Sequence, residues 1–451
     1  MTRARLDGLL LFLLGSVLFV LVGVSSERSS VVSMVDFKSV YFGARCLLQG
    51  SDPYRESDLQ HVYQTEAGDQ YSNPASSPQV VTLYINLPTG FLLTAPFAML
   101  PWGPAHLLWM IVTAAVFILA AYLMWSLGAD YSPVASGLLI CLFLLNSVLI
   151  LEIGNAAGIA ASLAVIAAWC FIKERSAAIG ILCLALSLAV KPHLAGMVWL
   201  YLMLAGGTYR KRALQTLALT FVLSLPGILW VSYVTPHWVP EFESNLHATS
   251  VHGNLNDPGP ASVDPSYHGA LIIDLQSALS ILRDDPRFYN PATYLISAPL
   301  LLIWAIATLR KRVTQEGAWL ALAAIAALSM LPLYHRTHDT RLLLLVFPAF
   351  AMLWAEGGLT AWFALSLTGL GAAVIGIVPQ QFMSIYSAHM LKSIHGLPGK
   401  LLTVLFTRPV PLILLLMSIF YLWLYVRHTS VPDPSAVSAK SDLEPPAPVP
   451  V

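Results

Sequence analysis

"MTRARLDGLLLFLLGSVLFVLVGV", Met1 to Val24, joins two arginines to a long apolar run. A signal peptide opens the same way, but Val22 to Ser26 is a poor small-residue cleavage site, so Gly8 to Val24 reads as a retained first membrane span. That reading decides the fold, because runs of the same kind recur along the chain. Of 451 residues 57% are hydrophobic and 11% charged, and the mean hydropathy is +0.70. The class this implies is an all-α polytopic membrane protein. Lys plus Arg and Asp plus Glu balance at 24 each, which argues neither for nucleic acid nor for an acidic partner.

Further spans are expected at 104–127, 133–151, 155–172, 176–190, 192–206, 213–234, 292–309, 317–334, 342–355, 359–378 and 409–426, giving about 12 crossings. Basic clusters at Arg3 and Arg5, Lys173 to Arg175, Tyr209 to Arg212, Arg310 to Arg312, and Arg427 with His428 mark the cytoplasmic side. Their parity holds only if 86–101, "NLPTGFLLTAPFAMLPW" with Pro88, Pro96 and Pro101, is a non-crossing or re-entrant segment. Both termini are then cytoplasmic. The long loops 25–85 and 235–291 fall outside the cytoplasm, as do the turns Glu152–Asn155, Lys191–His193 and Tyr334–Arg341. Residues 1–428 form one membrane domain, and 429–451, rich in Pro, Ser and Ala, reads as a disordered cytoplasmic tail. Cys46, Cys141, Cys170 and Cys183 make no disulfide framework and read as small apolar fillers.

The unusual polar residues thus collect on one face. Asp36 is either a solvated loop acid or a carboxylate at the mouth of a membrane cavity. "DFKSVYFGARCLLQG" favours the second, since it can form an interfacial amphipathic helix with Phe37, Val40, Tyr41, Ala44, Leu47 and Leu48 on one face. Lys191, flanked by apolar sequence and followed by Pro192, is either a snorkelling helix-end lysine or part of a phosphate site. His335, Arg336, His338, Asp339 and Arg341 crowd into seven residues. Two arginines and two histidines suit an anion, while His335, His338 and Asp339 have the spacing of metal ligands. Glu152 and Asn155 read as a helix-packing corner beside Gly154 and Gly158. His247, His252, His268, Asp257 and Asp264 lie in a Gly- and Pro-rich loop with irregular spacing, a weak metal signal. No Walker A loop, dinucleotide fingerprint, His-Glu-x-x-His or Asp-x-Asp motif is present, which argues against a nucleotide-bound donor.

"DFKSVYFGARCLLQGSDPY", "NLPTGFLLTAPFAMLPW", "LEIGNAAGIAASLAV", "LALSLAVKPHLAG" followed by "YRKR", and "LPLYHRTHDTRLLLLVFPAF" form an ordered set over about residues 1–360. That set resembles glycosyltransferase family 87, integral-membrane sugar transferases of the GT-C fold. The resemblance implies an inverting transfer of a sugar, mannose foremost, from a polyprenyl-phosphate donor to an extracytoplasmic glycolipid or glycan acceptor in the plasma (inner) membrane. It implies Asp36 as general base and His338 as the second catalytic residue. Lys191, His193, His335, Arg336 and Arg341 would surround the donor phosphate, and Tyr41, Arg45, Asp339 and Asn155 would contact acceptor or sugar. No metal or other cofactor is expected, since side chains can balance a departing monophosphate. The late loop departs from the family's usual pattern, leaving His335 as an alternative to His338, and Gly154-Asn155 stands where Gly-Gln is commoner. A lipid-linked sugar flippase or transporter is the competing reading, motivated by the Pro-interrupted segments and Lys191.

Overall fold

The structure, a computed structural model, describes residues 2–30, 33–67, 83–262, 271–376 and 396–428. The expected tail 429–451, Asp264, His268 and the end of the expected span 359–378 lie outside them. Helix α1 (Arg3–Ser29) begins at Thr2, whose hydroxyl accepts from the Arg5 N–H at 3.3 Å, a standard N-cap. The loop after it folds into α2 (Val35–Leu48) and α3 (Glu56–Ala67). Residues 88–90 make a 3-10 turn into α4 (Phe91–Ala98), which at 1.5 Å per residue is about 12 Å long and too short to cross a bilayer. There follow α5 (Trp102–Gly128), α6 (Pro133–Leu145), the single turn α7 (Leu149–Glu152), α8 (Ala157–Ile172), α9 (Ala177–Val190), α10 (Pro192–Ala205) and α11 (Gly207–Val234). The second half comprises α12 (Trp238–Ser250), α13 (Leu275–Leu282), α14 (Pro286–Arg310) and α15 (Gln315–Leu328). A 3-10 segment (Thr337–Leu345) then runs into α16 (Val346–Glu356), with α17 (Gly358–Val374), α18 (Gly396–Thr407) and α19 (Pro409–Arg427) completing the chain. Among the described residues there is no strand, only one bridge between Ile272 and Arg336.

Among the described residues seven helical segments are long and apolar enough to cross a membrane: Arg3–Ser29, Trp102–Gly128, Pro133–Glu152, Gly207–Val234, Pro286–Arg310, Thr337–Glu356 and Pro409–Arg427. The other five expected spans correspond to the shorter apolar helices α8, α9, α10, α15 and α17. The break between α9 and α10 has a local cause. Pro192 has no N–H and disfavours a helical Lys191, which adopts φ −141° and ψ 80°, but it fits the first position of a new helix. Helix α18 was not among the expected spans.

Close backbone approach seats α1. An added Cβ on Gly15 would sit 2.7 Å from Cys141 Cα, one on Gly23 2.6 Å from Leu151 Cδ1, and one on Gly8 against the Pro133 carbonyl. The small-residue stripe of α1 therefore meets α6 and α7 as membrane helices do. Helices α8, α15 and α16 are almost wholly buried, whereas α1, α11 and α14 present Leu10, Leu21, Phe221, Leu229, Leu295 and Leu302 outward. Such an apolar exterior around a buried helical core suits lipid as the surrounding solvent.

The helix ends sort the charges. Arg5 meets Asp130 at 3.5 Å, Arg212 donates to the Phe171 carbonyl at 2.9 Å, and Lys311 donates to the His428 carbonyl. All five basic clusters thus sit at one end of the bundle. At the other end α1 stops beside Glu152, α9 stops at Lys191, and α15 leads to His335. These three meet around Asp36.

Candidate active site

Helix α2 places Asp36 in its first turn. Phe37, Val40, Tyr41, Ala44 and Leu47 are buried as their spacing predicts, but Leu48 is 41% exposed, and Lys38, Phe42, Gly43 and Cys46 are buried as well. A helix lying on the membrane surface is therefore corrected to one set into protein on most sides. The cause is aromatic packing: the Phe37 ring stacks on Trp109 at 4.5 Å and on Trp102 at 5.5 Å. Tyr41 donates its hydroxyl to the Leu100 carbonyl at 2.8 Å, and Arg45 bonds Glu66 at 2.6 Å and the Ala98 carbonyl at 3.1 Å. The polar atoms of Tyr41 and Arg45 thus fasten α2 to α3 and the end of α4.

The open N–H groups at the start of α2 are met by the turn between α7 and α8. Met34 N–H donates to the Glu152 carbonyl at 2.8 Å, and the N–H groups of Asp36 and Phe37 both reach the Ile153 carbonyl, at 2.9 and 3.3 Å. Gly154, at φ +67°, makes this contact feasible, because a Cβ there would lie 2.6 Å from Met34 Sδ and 2.7 Å from Phe37 Cβ. Trp109 Nε1 donates to the Gly154 carbonyl at 2.9 Å, and the Glu152 carboxylate accepts the hydroxyls of Ser26 and Ser30 at 2.6 and 2.8 Å. Glu152 is a packing corner, as expected. Asn155 does more: its Nδ2 donates to Asp36 Oδ2 at 2.7 Å, while its Oδ1 accepts the Ala157 N–H at 2.8 Å.

Asp36 Oδ1 makes no hydrogen bond among the described residues. The side chain remains partly open, yet protein surrounds it closely enough that burial raises its pKa above the usual carboxylate value. The Asn155 hydrogen bond and the charges of Arg336 and Lys191 oppose that shift, and Asp339 adds to it. Those charges belong to the facing wall.

That wall comes from the α9–α10 break and from residues 335–341. Lys191 reaches Asp339 Oδ1 at 3.4 Å. His335 Nδ1 lies 3.1 Å from Asp339 Oδ2, which also accepts the Arg336 N–H at 3.0 Å, and His338 Nε2 lies 3.7 Å from Oδ1. The segment is held in register by Ile273 N–H on the His335 carbonyl and Thr337 N–H on the Leu271 carbonyl, each at 2.9 Å. His335, His338 and Asp339 are buried, while His193 is exposed with its ring 5.2 Å from that of His335. Among the described residues the buried His335 Nε2 has no hydrogen-bond partner.

Of the expected metal trio, the structure keeps His335 and Asp339 but replaces His338 with His193: one ligand atom from each of these three lies within 4.8 Å of the others. Both Asp339 oxygens already hold donors, among them the Lys191 ammonium. A cation would have to displace that ammonium, so the donor set fits an anion lodged against Lys191 and the histidines better.

The two arginines of this stretch turn to other partners. Arg341 is fully buried, bonding the Asn146 carbonyl at 3.2 Å, the Thr337 carbonyl at 3.3 Å and the Ser147 hydroxyl. Its guanidinium ties the site segment to the α6–α7 turn. Arg336 bonds the Leu255 carbonyl at 3.0 Å, Asn256 Oδ1 at 3.3 Å and the Tyr334 hydroxyl, which itself donates to Asn256 Oδ1 at 2.8 Å. The loop after α12 is thereby strapped to the rim of the site. Sequence reasoning missed Tyr334 and Asn256 here; the dense polar run "HGNLNDP" was the one available signal. In the same loop His252 pairs with Asp257 at 3.0 Å. All four cysteines are buried and free.

The arrangement can do acid–base chemistry on one wall and hold an anion on the other. Comparison with known proteins matches residues 84–334, more than half of the chain, to the model of glycosyltransferase family 87. The matched range includes Asn155 and Lys191 and stops one residue short of His335; Asp36 precedes it. No curated protein and no solved structure matches the chain significantly.

Proposed function

The chain belongs to glycosyltransferase family 87, and from that premise we propose that it is an inverting transferase using a polyprenyl-phosphate sugar, with Asp36 as general base. One observation carries the proposal. A carboxylate with one oxygen fixed and the other without a partner among the described residues faces a wall that gathers Lys191, His193, His335 and His338 around Asp339.

Asp36 Oδ1 takes the proton of an acceptor hydroxyl as that oxygen attacks the anomeric carbon. The bond from that carbon to the phosphate oxygen breaks on the opposite side, and its electron pair leaves with the polyprenyl phosphate. Charge on the phosphate grows as the bond breaks. Lys191 and ring N–H groups of the histidines stabilise it, and Asp339 holds them in place. Of the two histidine readings, His335 has the stronger geometric support for phosphate contact, since Asp339 orients its Nδ1 and leaves Nε2 unpartnered. His338 then lies beside it as a second donor. Mannose is the proposed sugar, and a glycolipid or glycan the proposed acceptor.

The isoprenoid chain lies in lipid between helices with its head group at the site. The basic clusters at the far end support a site outside the cytoplasm with both termini inside. Supplying a short-chain polyprenyl-phosphate mannose and membrane glycolipids to the purified protein tests this. The expected product carries one further sugar with inverted anomeric configuration, and Asp36→Asn forms it at least about a hundredfold more slowly. Undiminished turnover by Asp36→Asn sinks the assignment. Movement of labelled donor across proteoliposomes with no covalent product would support the flippase reading instead.

A further inference from the structure

We infer that Asn155 is the positioning residue of the base: it fixes the rotamer of Asp36, selects Oδ1 as the oxygen that meets the acceptor, and stabilises the ionised form. This rests on the transferase reading above and departs from the expectation that Asn155 contacts sugar or acceptor.

The orientation of the Asn155 amide is settled by its two neighbours. Its Oδ1 accepts the Ala157 N–H at the start of α8, a donor that can only pair with oxygen, so Nδ2 must be the end that faces Asp36. An N–H donor on Oδ2 holds that oxygen in its unprotonated state. The proton taken from the acceptor therefore goes to Oδ1, the oxygen without a partner among the described residues. Acceptor geometry is set in this way by a residue that touches neither sugar nor phosphate.

The turn that carries Asn155 is anchored by several contacts besides the side chain's own bond to the Ala157 N–H. The N–H groups of Met34, Asp36 and Phe37 on the Glu152 and Ile153 carbonyls, Trp109 on the Gly154 carbonyl, and Ser26 and Ser30 on the Glu152 carboxylate all use other atoms. Removing the amide should leave the turn in place. Other charged or titratable groups facing Asp36 are Arg336, Lys191, Asp339 and Tyr334, so the contribution of Asn155 has to be read as a change against that fixed background.

Two variants and two readouts test this. Asn155→Ala removes the donor. Asn155→Asp keeps the shape but sets a second carboxyl at hydrogen-bond distance, so the pair shares a proton at low pH and repels once both ionise. The first readout is the rate of carbodiimide labelling at Asp36, followed by peptide mass spectrometry from about pH 4 to pH 9. Carbodiimide attacks the protonated acid, so the midpoint reports Asp36 ionisation whether or not turnover occurs. It should rise by about one pH unit in Asn155→Ala and by more in Asn155→Asp. The second readout is the pH dependence of transfer from the short-chain donor. The acidic limb should move up by the same amount, with kcat down by about ten- to a hundredfold and donor KM unchanged. An unmoved labelling midpoint in both variants overturns the inference, as does a raised donor KM with an unmoved acidic limb. Absence of turnover in the wild-type protein with the midpoint shifted would count against the transferase reading alone.

Discussion

Lys191 and Asp339, 148 residues apart in the chain, meet as an ion pair of 3.4 Å in which the carboxylate is almost wholly buried and the lysine nearly so. The pair joins the α9–α10 break to the 3-10 segment after α15. It sets the distance between the lysine and the two histidines that share Asp339. Removing one partner of a buried pair leaves an uncompensated charge, at a cost of about 3–5 kcal/mol. Lys191→Met should therefore lower both transfer and stability. Lys191→Met combined with Asp339→Leu should recover much of the stability and none of the activity. Thermal unfolding in detergent alongside a transfer assay separates the two effects. Additive losses of stability in the double variant would remove Asp339 as the partner of Lys191.

The base predicts a pH profile. Burial raises the Asp36 pKa, and only the ionised carboxylate can accept a proton, so transfer should increase with pH through a midpoint above the ordinary value for aspartate of about 3.9. Lys191 and Arg336 lower that pKa, so losing either charge should move the midpoint further up. Transfer rates measured from about pH 4 to pH 9 on wild type, Asp36→Asn and Arg336→Gln test both steps. A midpoint unmoved in Arg336→Gln would place that guanidinium too far from the base to act on it. Asp36→Asn should fall by about a hundredfold to ten-thousandfold on the high-pH plateau, where the wild-type base is ionised.

How much of this was legible in the sequence depended on what kind of signal carried it. Apolar runs and basic clusters gave the helical membrane class and a common end for the polar turns, because both follow from the bilayer as solvent. Pro192 after Lys191 announced a helix break, and the structure has one there. What stayed hidden was partner choice. Arg336 and Arg341 look equivalent as sequence, yet one straps the loop after α12 and the other bonds carbonyls at the α6–α7 turn. Asn155 looked like a helix corner or a sugar contact because nothing local says that its amide reaches a carboxylate 119 residues earlier. The burial of α2 was likewise invisible, since Trp102 and Trp109, which enclose Phe37, come from a helix more than fifty residues on.

Gly154 should tolerate no side chain. Its φ of +67° is unfavourable for L residues, and a Cβ would press on Met34 and Phe37. Gly154→Ala should cost about 1–3 kcal/mol and push the α7–α8 turn away from the first turn of α2. Because Asn155 rides on that turn, transfer should fall more steeply than stability. Unfolding temperature and turnover measured together provide the check; equal activity and stability to wild type would mean that the turn is not held against α2 as described.

In the loop that follows α2, Asp52 Oδ1 accepts the Tyr54 N–H at 2.9 Å. Burial and the neighbouring Glu241 push its carboxyl up to about 7, with the Tyr54 N–H pulling the other way. Glu241 belongs to α12, and its Oε2 is buried with no donor, which a proton on Asp52 would supply. The folded pKa is raised above the unfolded value of about 3.9. Its contribution to stability is therefore complete below about pH 4 and is lost as pH rises through about 7. Asparagine in place of Asp52 keeps an acceptor for Tyr54 and a permanent donor for Glu241. The Asp52→Asn protein should hold α12 in place at pH 8 as firmly as at pH 5, flattening the decline in unfolding temperature that the wild type shows over that interval. An equally steep decline in the variant would remove Asp52 as its source.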